Sequence, residues 1–210
     1  MFYRILRIFL IPFVKILFFI KVTGQENEPK TNYITCANHS SFADPAFIAY
    51  ALKRTQRFVA RSTLIRFRFF SWLFNHVRVI TINRGKSDIQ AIKTIVSAIK
   101  DDDSVCIFPQ GTRVRGVMPR TEQAEAGLGL IVSMTEMPVL PVSIITKRLY
   151  PGFFRRTEVV IGKPIKAEEY LNCKDNPRKK DISEYCFSFV CKPFEGRIFN
   201  IKSDGVKFEK

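Results

Sequence analysis

Residues 33–54 read YITCANHSSFADPAFIAYALKR, and their order indicates the fold class. The first five residues are apolar or β-favouring and predict a buried strand over Tyr33–Ala37. A helix is predicted over Pro45–Arg54, since proline is well tolerated in the first helical turn. A short polar loop, residues 38–44, lies between the two elements. A strand, a loop and a helix in this order are typical of a layered α/β domain.

The same alternation continues along the chain. Further strands are predicted over Arg57–Ala60, Val77–Asn83, Ser104–Phe108, Val139–Thr146 and Thr157–Ile161. Further helices are predicted over Thr63–Asn75, from Ser87 to about residue 100, at about residues 121–135 and in the last forty residues. We therefore predict an α/β fold, a layered domain with a central, mostly parallel β-sheet flanked by helices.

Composition fits one globular domain of 210 residues, with 46% apolar and 25% charged residues, and excludes a disordered chain. The five cysteines include no CxxC pair and are accompanied by only two histidines, so neither a disulfide framework nor a structural metal site is predicted. Cys36 and Cys106 lie in apolar runs and are expected to be small buried hydrophobes. The net charge of +15 predicts an anionic partner, either a phosphorylated substrate, a membrane surface or nucleic acid. Nucleic acid is not expected, because aromatic and basic residues do not interleave as in single-strand binders.

Residues 1–22 read MFYRILRIFLIPFVKILFFIKV and predict an amphipathic helix. On a helix, its cations occupy a sector of roughly 120°, which favours a helix lying in a membrane interface over one that spans it; they are Arg4, Arg7, Lys15 and Lys21. Pro12 is expected to kink or divide this helix. The alternative is a helix packed on the protein's own core. Residues 1–30 are predicted as a membrane-associating segment with a polar linker, and residues 31–210 as the main domain.

A histidine and an aspartate in the loop after the first predicted strand are candidates for chemistry. His39 is one of only two histidines, and Asp44 follows it beyond a turn. A carboxylate can hold one ring nitrogen of an imidazole and leave the other to take a proton from a hydroxyl. The alternative is structural, since Ser41 and Asp44 have the spacing of a helix cap. Spacing alone leaves both interpretations open.

A second group of candidates follows the predicted strand Ser104–Phe108. Residues 107–113 read IFPQGTR, so a buried strand leads into a glycine turn and Arg113. Arg84 follows the strand Val77–Asn83 in the same way. Loops at the carboxyl ends of parallel strands form the ligand crevice of an open α/β sheet, and arginine suits phosphate oxygens.

Together these residues resemble the glycerolipid acyltransferases, the group that includes the 1-acyl-sn-glycerol-3-phosphate acyltransferases of phospholipid synthesis. Residues 38–44, NHSSFAD, match the NHxxxxD signature of that family, and residues 108–113, FPQGTR, match its FPEGTR signature except at one position. Arg84 with Gly85 resembles the arginine block between them, and residues 138–142, PVLPV, resemble the block that follows. The resemblance covers about residues 30–165.

The resemblance implies an enzyme that moves a fatty acyl chain from acyl-CoA or acyl-carrier protein to the free hydroxyl of a lysophospholipid. The expected acceptor is 1-acyl-sn-glycerol 3-phosphate, which would give phosphatidic acid. His39 is implied as the general base and Asp44 as its orienting partner, with no metal and no cofactor. Pro141 is implied to shape the wall of the site. The residues implied to bind the acceptor are Arg61, Arg84, Gln110, Gly111, Thr112 and Arg113.

Gln110 stands where the family has glutamate. An amide hydrogen-bonds but carries no charge, so we expect Arg113 to attract a phosphate more strongly; a different headgroup or reduced activity are alternatives. The function itself has two alternatives, an acyltransferase for another lysolipid or a catalytically weak basic module that binds membrane surfaces. Expected partners are the phospholipid bilayer, the lysophospholipid and, as a candidate, acyl-carrier protein. The expected location is the cytoplasmic face of a membrane, peripheral or monotopic.

Overall fold

The computed structural model describes residues 12–62, 79–82 and 89–199, without the side chain of Arg61. The described strands are β1 (Ile20–Thr23), β2 (Ile34–Ala37), β3 (Gln56–Arg61), β4 (Ile80–Ile82), β5 (Ser104–Ile107), β6 (Val139–Thr146) and β7 (Thr157–Ile161). They form one sheet in the order β1-β7-β6-β2-β5-β3-β4. Strands β2 to β6 run parallel to one another, whereas β1 and β7 run the opposite way. The predicted α/β fold with a mostly parallel sheet is confirmed.

Helices cover both faces of this sheet. The described helices are α1 (residues 12–18), α2 (Asp44–Ala51), α3 (Ile89–Lys100), α4 (Gly127–Thr135), α5 (Ala167–Leu171) and α6 (Lys179–Cys191). Helices α1 and α2 pack on one face, and α3, α4 and α6 pack on the other. Between these layers all eight residues of β6 are buried. The sheet therefore forms the centre of a three-layered core, as apolar strands with helices on both faces require.

The N-terminal segment differs from its prediction. The helix predicted through residue 22 ends at residue 18, and Ile20–Thr23 instead forms β1, paired with β7. The open side of β7 offers backbone hydrogen bonds that outweigh a helical pattern at the β-favouring residues Ile20 and Val22. Val14 and Phe18 are buried, which confirms the alternative of packing on the core for this face of α1. The amphipathic helix predicted over residues 1–11 lies outside the described residues.

The stretch predicted as a polar linker is also part of the fold. Gly24 has a φ of 80°, and a Cβ atom at this position would collide with the carbonyl oxygen of Ile161, so only glycine fits. The carboxylate of Glu28 accepts hydrogen bonds from the Tyr33 hydroxyl at 2.7 Å and from the Arg54 backbone N–H at 2.8 Å. Residues 24–28 are therefore tied to β7 and to the chain that follows α2.

The single helix predicted at about residues 121–135 is wrong in its first half. Thr121–Gln123 is a short 3₁₀ helix, and the α-helix begins only at Gly127. The break has a tertiary cause, because the Glu125 N–H donates to the Pro109 carbonyl at 2.8 Å rather than within a helix. The helix predicted over Thr63–Asn75 lies outside the described residues. Within the described ranges, no helix is both long and apolar enough to cross a membrane.

Candidate active site

The two sequence motifs meet because the strands before them are neighbours. β2 and β5 are adjacent and parallel, with Cys36 beside Ile107. Residues 38–44 and 108–113 therefore leave the sheet side by side. They do so at its carboxyl end, by which we mean the end where strands β2 to β6 finish. Open α/β sheets bind their ligands at this end.

His39 and Asp44 form a hydrogen-bonded pair there. Nδ1 of His39 lies 2.8 Å from Oδ2 of Asp44, with the carboxylate fully buried and the imidazole 18% exposed. Since a carboxylate accepts the Nδ1 proton, Nε2 is the nitrogen left to take a proton from a substrate. The structure thus brings together the two residues that the sequence paired. Their role in catalysis stays a prediction.

The Asp44 carboxylate also holds the backbone of its own loop. Its Oδ2 accepts the backbone N–H groups of Ser40 at 2.6 Å and Ser41 at 2.7 Å, in addition to the imidazole. Asp44 is the first residue of α2, where the partial positive charge of a helix N-terminus favours a carboxylate. The predicted helix cap is not formed, because the residue before α2 is Ala43 and no side chain makes a capping bond there. The loop N–H groups fix the carboxylate, and the carboxylate in turn fixes the imidazole.

The second motif holds His39 from the other side. The Phe108 ring stacks on the imidazole with the centroids 4.2 Å apart and an interplanar angle of 18°. The His39 N–H donates to Oε1 of Gln110 at 2.7 Å, and its carbonyl accepts the Val114 N–H at 2.7 Å. Both the ring and the backbone of the candidate base are therefore set by residues 108–114.

Gln110 lies behind the site rather than facing an acceptor. Its side chain is 6% exposed, and while Oε1 accepts from His39, Nε2 donates to Oε1 of Gln123 at 2.7 Å. Both polar ends of the amide are thus bonded within the protein. The predicted contact of Gln110 with the acceptor is replaced by a positioning role. Accordingly, the expected effect of its lost charge on Arg113 does not follow from this arrangement.

The remaining part of the second motif forms the exposed turn. Gly111 has a φ of 61°, which favours glycine, and its N–H donates to the Phe108 carbonyl at 2.9 Å. Thr112 and Arg113 follow, both half-buried. The Arg113 guanidinium lies 3.6 Å from the centroid of the Phe42 ring. Phe42 belongs to the loop between His39 and Asp44. This contact therefore places Arg113, the residue predicted to bind the phosphate, against the loop that carries the candidate base.

The other predicted site residues are located only in part. Arg61 is the last residue of β3, which also ends at the carboxyl end of the sheet, and its backbone pairs with Ile82 of β4. Arg84 lies outside the described residues. Pro141 is placed inside β6 next to Cys36, and its ring packs against Gly162. It therefore belongs to the sheet, below the loops, and not to a wall beside His39.

Three residues of the site had no assigned role in the sequence. Asn38 is 5% exposed and bonds to both backbone groups of Ile144, donating at 3.0 Å and accepting at 2.7 Å, which ties the loop to β6. Phe42 supports Arg113, and Gln123 supports Gln110. Asn38 could have been identified from the sequence, because it stands next to His39. No sequence pattern points to Gln123, because its partner depends on where the chain turns after residue 113.

The cysteines take no part in this arrangement. Cys36 and Cys106 are buried, as predicted, and burial raises the pKa of both thiols, so they are protonated at neutral pH. In the part of the chain that the structure describes, no group of three or more histidine, cysteine or acidic side chains is placed to hold a metal ion. That the reaction needs no metal or cofactor stays a prediction.

Known proteins share both the sequence and the fold. The family model described as Acyltransferase matches residues 19–145. The 1-acyl-sn-glycerol-3-phosphate acyltransferase of Streptococcus pneumoniae is 28% identical over 69% of this chain and 54% of its own length. The enzyme of the same name from Borreliella burgdorferi is 32% identical over 60% of this chain and 50% of its own length. The chain thus spans about half the length of each of these two relatives.

The fold has a solved counterpart. The crystal structure of the 1-acyl-sn-glycerophosphate (LPA) acyltransferase PlsC from Thermotoga maritima superposes with a TM-score of 0.68 at 21% identity. The match covers 91% of this chain and 82% of that one, so the two proteins share a fold over most of their length. The family model covers more than half of the chain and includes both signature motifs. The chain belongs to the acyltransferase family.

Proposed function

We propose that this protein transfers a fatty acyl chain from acyl-CoA or acyl-carrier protein to the free hydroxyl of 1-acyl-sn-glycerol 3-phosphate, giving phosphatidic acid. The observation that carries this proposal is the His39–Asp44 pair, 2.8 Å apart and set in the NHxxxxD loop at the carboxyl end of the sheet. The names of the relatives support this choice of acceptor.

In the proposed reaction His39 acts as a general base. Its Nε2 takes the proton of the acceptor hydroxyl while that oxygen attacks the thioester carbonyl carbon. The new ester bond forms, the carbon–sulfur bond breaks, and the imidazolium returns the proton to the leaving thiolate. Asp44 holds Nδ1 throughout and stabilises the positive charge that the imidazole carries between the two proton transfers.

The acceptor phosphate would bind beside this base. Arg113 is positioned for it by its contact with Phe42, and a guanidinium can give a phosphate two parallel hydrogen bonds. Gly111 and Thr112 form the turn from which Arg113 extends. Arg61 and Arg84 complete the proposed phosphate site. Positive charge at the carboxyl end of the sheet thus distinguishes a phosphorylated acceptor from a neutral lysolipid.

We further propose that the enzyme is peripheral or monotopic on the cytoplasmic face of a membrane. Its acceptor and its product are both bilayer lipids, so an enzyme that stays at the surface meets its substrate at high local concentration. Residues 1–11, with the cations Arg4 and Arg7, are proposed to hold it there, together with the exposed side of α1.

The test is thiol release from acyl-CoA and from acyl-carrier protein, with 1-acyl-sn-glycerol 3-phosphate in detergent or vesicles. We expect acceptor-dependent release by the wild type and a fall of at least ~100-fold in His39→Ala, the usual size of a general-base contribution. The matched control is His76→Ala, which removes the other histidine of the chain and should keep its activity. An equal loss in both variants would contradict the assignment of the base.

A wild type that is inactive with both donors would next be tested with other lysolipids. Activity with one of them would change the acceptor and keep the chemistry. Failure with every acceptor, together with retained vesicle binding, would replace the enzyme by a membrane-binding module of the same fold.

A further inference from the structure

Large apolar side chains are exposed at one end of the molecule. Among the described residues, nine such side chains are at least half exposed. Three of them, Phe42, Phe153 and Phe154, lie in loops at the carboxyl end of the sheet, and three more, Phe13, Ile16 and Phe19, belong to α1 and the residue that follows it. A soluble monomer exposes single apolar residues without consequence, whereas a group at one end marks an interaction surface.

The topology explains why these residues share one end. β6 is parallel to β2, so the turn after β6 lies at the same end as the His39 loop. This turn, residues 147–156, joins β6 to the antiparallel β7, and we call it the hairpin tip. Since β1 is parallel to β7, the end of helix α1, which leads into β1, lies there too. The hairpin tip and the end of α1 are therefore at the same end of the sheet as the site at which the acceptor would be acylated.

The hairpin tip and α1 form one continuous patch. The Phe154 N–H donates to the Leu17 carbonyl at 2.6 Å. The ring of Phe153 lies 5.4 Å from that of Phe18, and the ring of Phe154 lies 6.5 Å from that of Phe19. Phe153 and Phe154 are nevertheless 65% and 67% exposed, so these contacts leave most of each ring uncovered.

Two of these aromatic residues also have an unfavourable backbone. Phe19 has a φ of 40° and Phe154 a φ of 58°, in the left-handed region that bulky residues rarely adopt. Glycine would be the unstrained choice at both positions. Because neither ring is buried in return, folding alone does not account for phenylalanine here.

The charge around the patch is positive. Lys15 and Lys21 flank the exposed face of α1, Arg155 and Arg156 follow the two rings of the hairpin tip, and all four are exposed. Aromatic rings bordered by lysine and arginine are typical of surfaces that insert between lipid headgroups. Cations at such a surface are attracted to anionic lipids.

We propose that the hairpin tip, together with the exposed face of α1, docks into an anionic bilayer and turns the His39 loop towards it. Phe153 and Phe154 enter the headgroup boundary, while Arg155 and Arg156 contact lipid phosphates. The inference rests on the proposed function in one respect, namely that the acceptor reaches His39 from the bilayer. Lipid binding by the hairpin tip is measured without any acyl transfer.

The decisive variant is Phe154→Gly, which removes the ring and relieves the positive φ. We expect its partitioning onto phosphatidylcholine vesicles that contain phosphatidylglycerol to fall roughly tenfold, as the loss of one buried aromatic ring implies. Its melting temperature should hold or rise. The matched control is Met134→Ser, which changes an apolar residue of α4 that is 55% exposed, and it should partition like the wild type.

Charge is tested separately with Arg155→Gln combined with Arg156→Gln. This variant should bind the anionic vesicles several-fold less and neutral phosphatidylcholine vesicles unchanged, with a difference that disappears at high salt. Equal loss on both kinds of vesicle would overturn the assignment of the arginines to lipid phosphates.

Three results would overturn the docking proposal. One is equal partitioning of Phe154→Gly and the wild type, and another is a loss of binding that comes with a lower melting temperature. The third is a lipid-free dimer that Phe154→Gly converts to a monomer, since this would assign the patch to a second copy of the chain. Thiol release with a short-chain acceptor below its micelle concentration should be equal in Phe154→Gly and the wild type. Absence of release in both would count against the proposed reaction and not against docking.

Discussion

Two aspartates of this protein occupy nearly the same local setting with different consequences. Asp44 begins α2 and Asp181 lies in the first turn of α6. Asp44 accepts two backbone N–H groups that precede its helix, and Asp181 accepts one. Each carboxylate also accepts a hydrogen bond from a side-chain nitrogen. For Asp44 that side chain is the imidazole of His39, and for Asp181 the side chains are Arg178 and Lys174.

The difference lies in what the partner can do. Arg178 and Lys174 are 82% and 61% exposed and carry a permanent charge at neutral pH. Hydrogen bonds from Arg178 and Lys174 hold the pKa of the Asp181 carboxyl well below its usual range. The imidazole of His39, in contrast, has two ring nitrogens, and only one of them is bound by the carboxylate.

A carboxylate held by backbone N–H groups at a helix start thus becomes part of a candidate catalytic pair through its side-chain partner. Asp181 ends in an ion pair that stabilises a helix start. Asp44 is held in place by two loop N–H groups, and it in turn fixes an imidazole whose second nitrogen is not bound by the carboxylate.

The largest effect on the rate is expected when each of the two carboxylates is neutralised in a separate variant. Asp44→Asn keeps an oxygen for His39 Nδ1 but removes the charge that stabilises the imidazolium, so the rate of thiol release should fall at least ~100-fold. Asp181→Asn should keep the wild-type rate. The measurement is kcat for both variants, with the melting temperature as the check on folding. A similar loss of rate in both would break the comparison, because it would make Asp44 a structural residue like Asp181.

The next effect concerns the support behind His39. Gln110→Leu leaves the buried His39 N–H without an acceptor, which costs about 1–3 kcal/mol of stability and shifts the loop that carries the base. We expect kcat to fall with little change in KM for the acceptor. Gln110→Glu keeps the acceptor oxygen and should recover most of the rate. A raised KM at unchanged kcat in Gln110→Leu would show instead that this side chain contacts the acceptor.

A smaller effect, on KM, is expected from Phe42, which lies in the loop between His39 and Asp44. Phe42→Leu removes the ring beneath Arg113, a cation–π contact of about 0.5–1 kcal/mol. The KM for 1-acyl-sn-glycerol 3-phosphate should therefore rise about two- to fivefold while kcat stays the same. Kinetics with a monoacylglycerol, which lacks the phosphate, provide the control and should not change. A change of KM for both acceptors would separate Phe42 from phosphate binding.

The smallest effect is the pH dependence of stability at Asp181. Because the pKa of this carboxyl is lowered in the folded state, the stability that its ion pairs contribute is present above the unfolded value of about 3.9. It is lost as the pH falls through the lower folded value. The melting temperatures of wild type and Asp181→Asn should differ at neutral pH and converge in strong acid. A constant difference across this range would contradict the assigned shift.

Sequence reasoning succeeded where neighbours in the chain decide the outcome. The strands Val139–Thr146 and Thr157–Ile161 were predicted with the bounds observed, because both are rich in β-branched and apolar residues. It failed at Ile20–Thr23, whose strand exists only because β7 offers an open side. It failed again at residues 121–126, where a bond from Glu125 to Pro109 interrupts the helix.

The sequence by itself determined the α/β class and the two motifs and made His39 and Asp44 a candidate pair, since all of these depend on residues within one loop or one period of the chain. Only the tertiary structure decided that Gln110 faces the His39 backbone and Gln123 instead of an acceptor. It also decided that Phe153 and Phe154 join α1 beside the site. The physical reason is the same in each case, because these contacts join segments that are far apart in the chain. The strand order that brings the segments together cannot be predicted from local sequence patterns.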